Sequence, residues 1–287
     1  LSELTFLAVH AHPDDEASST GGIFRLLANQ DVRTVLVTCT NGECGDAEDG
    51  AKPDADHHNG DLVAAVRARE LDEAVRVLGI SDLIRLGYRD SGMMGWPQNS
   101  DPDSFWATPV AEGAKRLAEI MMNERPQVIV TYNEAGFYGH PDHIQANRIT
   151  LAALELIDYE PTLYYNAIPD SVMEFMGARW EEENRRQAEE DAAKGIVREP
   201  EGPPMFEGQP LKMGTPDELI GAAIDVSSVT DAKYDALAAH ASQMGDSFWL
   251  KMTKEEFNVA MGTEWFFRVT NPQGLEGVVT DIFAGYR

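Results

Sequence analysis

Two cysteines in 287 residues, Cys39 and Cys44, cannot build a disulfide framework. Cys39 falls inside an apolar strand pattern, and the pair fits a reducing compartment, so the cytoplasm is the expected location. Apolar residues make up 43% of the chain, yet no uninterrupted run approaches the ~20 residues that cross a bilayer. The opening LSELTFLAVHAHPDDE lacks the basic leader and small-residue cleavage site of a signal peptide. Basic residues are scarce as well: 23 Lys and Arg stand against 49 Asp and Glu, for a formal charge of −26. Such a surface repels phosphate backbones and anionic lipid, which argues against nucleic acid or a membrane as partner. Missing too is a G-x-G-x-x-G turn after the first apolar run, where HPDDE stands instead. Its carboxylates would repel a pyrophosphate, so a nucleotide-binding oxidoreductase is disfavoured.

What is present alternates. The apolar runs LTFLAV (4–9), VRTVLVTC (32–39), DLIRLG (82–87), QVIVTY (127–132) and TLYYNAI (162–168) are separated by segments of helical period at 17–29, 61–78, 109–124 and about 142–157. Strands alternating with helices predict an α/β fold: a Rossmann-like, mostly parallel sheet flanked by helices. Beyond Pro169 the pattern loosens into a charged helix at 178–194, a Pro- and Gly-rich stretch at 195–218 that reads as a flap or insertion, a strand pattern at 219–228 and a helix at 230–244. The expected organisation is a single domain over 1–287, with a core at 1–168 and a C-terminal portion at 169–287 that completes it through packed aromatic residues. The sequence leaves the oligomeric state open.

Ligands of open parallel sheets bind beyond the carboxyl ends of the strands. The first such loop holds His10, His12, Asp14, Asp15 and Glu16; the second Glu43 and Asp46; the third Asp90; the fourth Tyr138, His140, Asp142 and His143. His12 and Asp15 lie three apart, so a helix beginning at Pro13 would point both at one cation, and His143 would complete a set of two histidines and one carboxylate. Three protein ligands with positions left for water mark a catalytic divalent metal; zinc suits the set, and ferrous iron does too. Asp14, beside a ligand but pointing elsewhere, is placed to take a proton from an attacking water. His140, also three residues from a ligand, would stabilise an oxyanion or protonate a leaving amine when charged, with Asp142 holding its tautomer. Together these describe metal-assisted amide hydrolysis. Helix capping and loop hydrogen bonds explain one such motif alone, but not two at the ends of strands in one sheet.

At AHPDDE (11–16) and GHPDH (139–143) the sequence resembles the PIG-L/LmbE-like deacetylases. VTCTNGE (37–43), VRARELDEAVRVLGI (66–80), RDSGMMG (89–95) and ALAAHASQ (236–243) are similar to the mycothiol-pathway branch, a GlcNAc-inositol deacetylase and a mycothiol S-conjugate amidase. The resemblance covers most of the chain outside about 170–218. It implies metal ligands His12, Asp15 and His143, general base Asp14, and His140 as acid oriented by Asp142. It further implies that Arg67, Asp90 and Tyr138 hold the sugar or polarise the amide. Ser19 stands where the amidase has lysine, which favours N-deacetylation of a small N-acetylglucosamine glycoside. The alternatives are the conjugate amidase and a non-catalytic metal- or sugar-binding protein, which would need no base at Asp14.

Overall fold

The computed structural model describes residues 4–193, 205–206, 209–210, 213–245 and 247–287. Strands β1 (Thr5–His10), β2 (Arg33–Thr40), β3 (Asp82–Tyr88), β4 (Val128–Thr131) and β5 (Thr162–Ala167) form the parallel part of a sheet, ordered β3-β2-β1-β4-β5. Every residue of β1 is buried, as a strand covered on both faces requires. Phe6 and Ala8 face one apolar cluster, with Phe24, Leu71 and Leu78; Leu7 and Val9 face another, with Leu117, Met121 and Ile149. That division is the two-residue period of a strand made three-dimensional.

Helices α1 (Asp15–Ser19), α2 (Gly21–Ala28), α3 (Gly60–Leu78), α4 (Val110–Glu124) and α6 (Pro141–Leu154) connect the strands, with a short irregular turn, α5, at Gly136–Gly139. Asn59 caps α3 by accepting from Asp61 and Leu62 amides, and Gly79 ends it at φ 72°. The chain enters β1, moves out to β2 and β3, then crosses to β4 on the other side of β1. This reversal opens a crevice at the carboxyl ends of β1 and β4, the place where doubly wound sheets hold ligands.

The C-terminal portion departs from expectation in two places. The charged helix α7 begins earlier, spanning Asp170–Ala193. Thr263–Arg268, anticipated only as packed aromatic structure, is a strand, β9, lying antiparallel between β5 and β8 (Ile220–Asp225). Its TEWFFR sequence shows no clean alternation because aromatic residues occupy both faces, Phe266 fully buried on one and Trp265 and Phe267 half-buried on the other, while the buried face also carries Glu264. A short ribbon pairs β6 (Met205–Phe206) with β7 (Gln209–Pro210); most of the anticipated flap at 195–218 lies outside the described residues. No helix among the described residues is long and apolar enough to cross a membrane.

A buried carboxylate of the C-terminal portion ties it to the core. Glu264 of β9 accepts the Gly22 and Ile23 amides at 2.8 and 2.9 Å, capping α2 from far along the chain, and takes Lys233 of α8 (Thr230–Ala239) at 2.6 Å. Removing one partner of a buried pair strands the other charge. Lys233→Ala should therefore cost about 3–5 kcal/mol in unfolding free energy, read by urea titration; a loss below 1 kcal/mol would show that water replaces the ammonium.

Candidate metal and active site

His10, the last residue of β1, is not part of the crevice chemistry. Its Nε2 meets Thr20 Oγ1 at 2.8 Å and its Nδ1 meets Tyr132 Oη at 3.2 Å, and burial lowers its pKa, so it is a neutral core histidine. The chain then turns sharply. No helix begins at Pro13; α1 starts at Asp15, and Asp14 sits at φ 122°, ψ −25°, a conformation strained for a side chain by about 1–3 kcal/mol. Surrounding bonds hold it there. The Asp14 N–H donates to Glu16 Oε2 at 3.0 Å, and Arg67 Nη2 donates to Pro13 O at 2.7 Å and to Asp14 Oδ2 at 2.9 Å. Arg67 Nη1 reaches Gly42 O at 2.9 Å. Gly42 lies at φ 75°, and a Cβ there would collide with the guanidinium.

This turn, not a helix, brings Asp15 back to His12, whose backbone N–H donates to Asp15 Oδ2 at 2.8 Å. Their side chains meet His143 from the start of α6. His12 Nδ1 lies 3.4 Å from Asp15 Oδ2 and 3.3 Å from His143 Nε2, which lies 3.5 Å from Asp15 Oδ1. Tetrahedral ligands of zinc at ordinary bond lengths are separated by about 3.3–3.6 Å, the spacing of the two histidine nitrogens, and the Asp15 carboxylate lies beside both, so the three side chains can be shared by a single ion. His12 is held from behind: Nε2 lies 3.2 Å from Asp142 Oδ2 and 3.7 Å from Asp90 Oδ1. Carboxylates behind a ligating imidazole fix its tautomer and strengthen it as a donor. Burial works against charge on His12, yet Asp90, Asp142 and Asp15 outweigh it and hold the ring well above the ordinary histidine range. A cation at Nδ1 answers the same demand for positive charge. Burial takes His143 down to about 4, leaving it the neutral ligand a metal needs.

Two other groupings share His12: with His140 and His143, and with Asp90 and Asp142, one donor atom from each lies within 4.8 Å of the others. The first shows that His140 faces the same centre. The second uses the Nε2 side of His12, where Asp142 already takes the hydrogen bond and Asp90 stands 3.7 Å away.

Three expected roles change. Asp142 does not orient His140 through its carboxylate, which instead accepts from Ser91 N at 2.9 Å, from Ser91 Oγ and from His12. His140 caps α6: its Nδ1 accepts the Asp142 amide at 3.2 Å, so in the neutral ring the hydrogen is on Nε2. Burial, reinforced by charge on His12 and His143, keeps His140 well below its usual pKa, so it is a neutral hydrogen-bond donor and not a stored proton. Arg67, expected at the sugar, spends its terminal nitrogens within the protein, Nη2 on the Asp14 turn and Nη1 on Gly42. Arg67→Met should lower kcat about 10–100-fold with little change in KM, the effect of losing a charge-assisted bond to the base and not to substrate; steady-state kinetics read the split, and a rise in KM alone would restore the substrate-contact role.

Asp90 and Tyr138 do reach the crevice. Asp90 is fixed by the Gly92 amide at 2.8 Å and the Cys44 amide at 3.3 Å. The Tyr138 ring stands 4.9 Å from that of His143, and burial raises its hydroxyl pKa, so it keeps its hydrogen. Together with His12, Asp14, Arg67 and His140 they line a polar cavity of about 170 Å³. Cys44 lines it too, but burial, with Asp90 and Glu43 nearby, pushes its thiol up to about 12, which leaves no thiolate for attack or ligation. A more apolar cavity of about 270 Å³, walled by Trp249 and Trp265 and reaching Ser19, meets the first at Asp15 and Tyr138. The residues not anticipated are Ser91, inside the quoted RDSG, and Tyr132, which stacks on His143 at 4.0 Å and accepts the Ala11 amide at 2.9 Å.

Residues 7–154 match the family described as GlcNAc-PI de-N-acetylase, PIG-L. The 1D-myo-inositol 2-acetamido-2-deoxy-alpha-D-glucopyranoside deacetylase of Salinispora arenicola is 37% identical over 303 residues, covering 99% of this chain and 92% of that protein. Among solved structures, the N,N'-diacetylchitobiose deacetylase of Pyrococcus horikoshii superposes with a TM-score of 0.56 at 19% identity, over 92% of this chain and 83% of that one. The 4-carboxy-2-hydroxymuconate hydratase of Pseudomonas putida does so at 0.59 and 18%, over 96% and 100%. A hydratase on this fold means that architecture alone does not set the reaction, and family membership rests on sequence. With a matching family pattern across its core and such identity along almost its whole length, the chain belongs to the GlcNAc-PI de-N-acetylase (PIG-L) family.

Proposed function

We propose that the protein is a metal-dependent N-deacetylase that hydrolyses the acetamide of a small, neutral glycoside containing N-acetylglucosamine, with zinc held by His12, Asp15 and His143. The observation that carries this is the approach of two histidine nitrogens to 3.3 Å with the Asp15 carboxylate against both, Oδ2 at 3.4 Å from His12 and Oδ1 at 3.5 Å from His143, beside a carboxylate on a strained turn. When bound, the metal polarises the amide carbonyl and makes water acidic enough to attack at neutral pH. Asp14 takes the proton from that water and returns it to the amide nitrogen as the C–N bond breaks, releasing acetate and the amine. The His140 Nε2–H donates to the oxygen that becomes negative, and the Tyr138 hydroxyl offers a second donor from the neighbouring wall. Asp90 accepts hydroxyl hydrogens of the sugar.

A neutral ligand suits this cavity. The positive group lining it beside the histidines, Arg67, is engaged by Asp14, Pro13 and Gly42, so a phosphate would meet Asp14, Asp15 and Asp90 without a free cation. The strained Asp14 also favours catalysis over a binding protein, which gains nothing from that strain. Free thiols at Cys39 and Cys44 support the cytoplasm as the compartment. The test is incubation of zinc- and iron-loaded protein with GlcNAc-inositol, GlcNAc, diacetylchitobiose and a mycothiol conjugate, measuring acetate and primary amine. Release of equal acetate and amine from GlcNAc-inositol is the expected result. Amine without acetate, from the conjugate alone, would replace the deacetylase with an amidase; neither product from any compound would refute both.

A further inference from the structure

The segment ALAAHASQ lies beyond the family match at 7–154, and nothing in the reaction just described uses it. His240 within it ends α8, with its backbone N–H on Leu237 O at 3.2 Å. Its Nε2 lies 2.6 Å from Glu16 Oε1, and both side chains are completely buried. An ionised carboxylate only accepts, so Nε2 carries the hydrogen. The other oxygen of Glu16 accepts the Asp14 amide at 3.0 Å. The path thus runs from α8 through one carboxylate to the backbone of the residue held at φ 122°.

The rest of the segment is anchored beside it. Ser242 donates from N and Oγ to Glu70 at 2.8 and 2.7 Å, while the Gln243 amide exchanges two bonds with the Asp46 backbone at 3.1 and 2.9 Å. His240 is therefore fixed in place independently of Glu16. A buried polar pair adds little to stability compared with apolar packing, and its use lies more often in defining one geometry. Here the geometry defined is that of the Asp14 turn: with Nε2 removed, Glu16 loses the side chain that holds its Oε1 and is free to turn away from the Asp14 amide.

We propose that His240 is a positioning residue for the general base, acting through Glu16 to hold the Asp14 backbone so that its carboxylate faces the cavity. The proposal rests on Asp14 being that base. It assigns a role in the reaction to the C-terminal portion, outside the parallel core that bears the metal-binding motifs.

Glutamine and asparagine separate this role from simple packing. A Gln amide nitrogen superposes on Nε2 and still reaches Glu16, whereas Asn places its nitrogen near Nδ1 and falls short. In the metal-loaded enzyme, His240→Asn should lower kcat about 10–100-fold, the loss of one charge-assisted bond, with KM within about three-fold and one equivalent of metal retained; His240→Gln should recover most of it. In an Asp14→Asn background the same His240→Asn change should cost less than about two-fold, because its effect passes through the missing base. Equal loss in both backgrounds, or no distinction between Gln and Asn, overturns the proposal. Hydrogen exchange of the Asp14 amide, followed by NMR, tests it without turnover: exchange should quicken at least about ten-fold in His240→Asn and not in His240→Gln. Unchanged exchange in His240→Asn overturns the proposal whatever the substrate. Normal exchange effects in a protein that releases no acetate would instead fault the deacetylase reading alone.

Discussion

His143→Ala should leave the protein folded and the metal absent. His143 supplies one of the three ligands, its Nε2 3.3 Å from His12 Nδ1 and 3.5 Å from Asp15 Oδ1, and it is the imidazole of the set brought in by α6. Removing it leaves His12 and Asp15, three residues apart on one turn, too few to compete with a chelator. Bound metal should fall well below one equivalent after dialysis against EDTA, and deacetylation should drop below detection, by more than about 10³-fold. The ring stacks on Tyr132 at 4.0 Å, so some thermal stability is lost too, and circular dichroism must accompany the metal analysis. Asp142→Asn gives the graded comparison. It alters only the carboxylate behind His12 Nε2, and such partners typically change metal affinity about 10–100-fold. Full occupancy in His143→Ala would move the ion to the other face of His12, between Asp90 and Asp142, where Asp142→Asn would then be the more damaging change.

The contrast between these two substitutions also marks what was legible in the sequence. Apolar runs at 4–9, 32–39, 127–132 and 162–168 became β1, β2, β4 and β5 because a strand buried on both faces needs continuous hydrophobicity, which composition displays directly, while the run at 82–87 became the half-buried edge strand β3. Knowing the strands places their outgoing loops at one edge, and so HPDD and HPDH could be brought together before any coordinates. Conformation inside those loops was hidden. Asp14 at φ 122° depends on bonds from Glu16 and Arg67, and Arg67 comes from α3. Asp142 is adjacent to His140 in sequence only by way of Pro141, which suggested a pair, but the helical start at Pro141 swings its carboxylate to Ser91, 51 residues away. Distance hid the remainder. Glu16 and His240 are separated by 224 residues and Ile23 and Glu264 by 241, and no local period encodes such partners. β9 was missed for a related reason: its register is fixed by Tyr165 facing Phe267 and Ala223 facing Trp265, not by alternation of its own.

Asp14→Asn should separate chemistry from binding. Asparagine is among the residues that best tolerate positive φ, and its Oδ1 still accepts from Arg67 Nη2, so the turn and the neighbouring metal donors should persist. What is lost is the capacity to take a proton. Metal content should stay near one equivalent and KM within a few-fold, while kcat falls about 10²–10⁴-fold, the usual contribution of a general base. The pH profile carries a second signature. Burial pushes the Asp14 carboxyl up to about 6, against the pull of Arg67, and a bound cation lowers it from there. A base works deprotonated, so wild-type kcat/KM should be full above that pKa and fall as pH drops through it, with an acid limb at or below about pH 6. The limb should vanish from the residual activity of Asp14→Asn. Turnover surviving within a few-fold would require another base, and the nearby acids are poorly placed to replace it. Glu16 is buried against His240, and Glu43 accepts from Asn41 and the Asp90 amide at 3.0 and 2.9 Å. Asp90, lining the same cavity, would be the one left to examine, and Asp90→Asn would then have to reproduce the loss that Asp14→Asn did not.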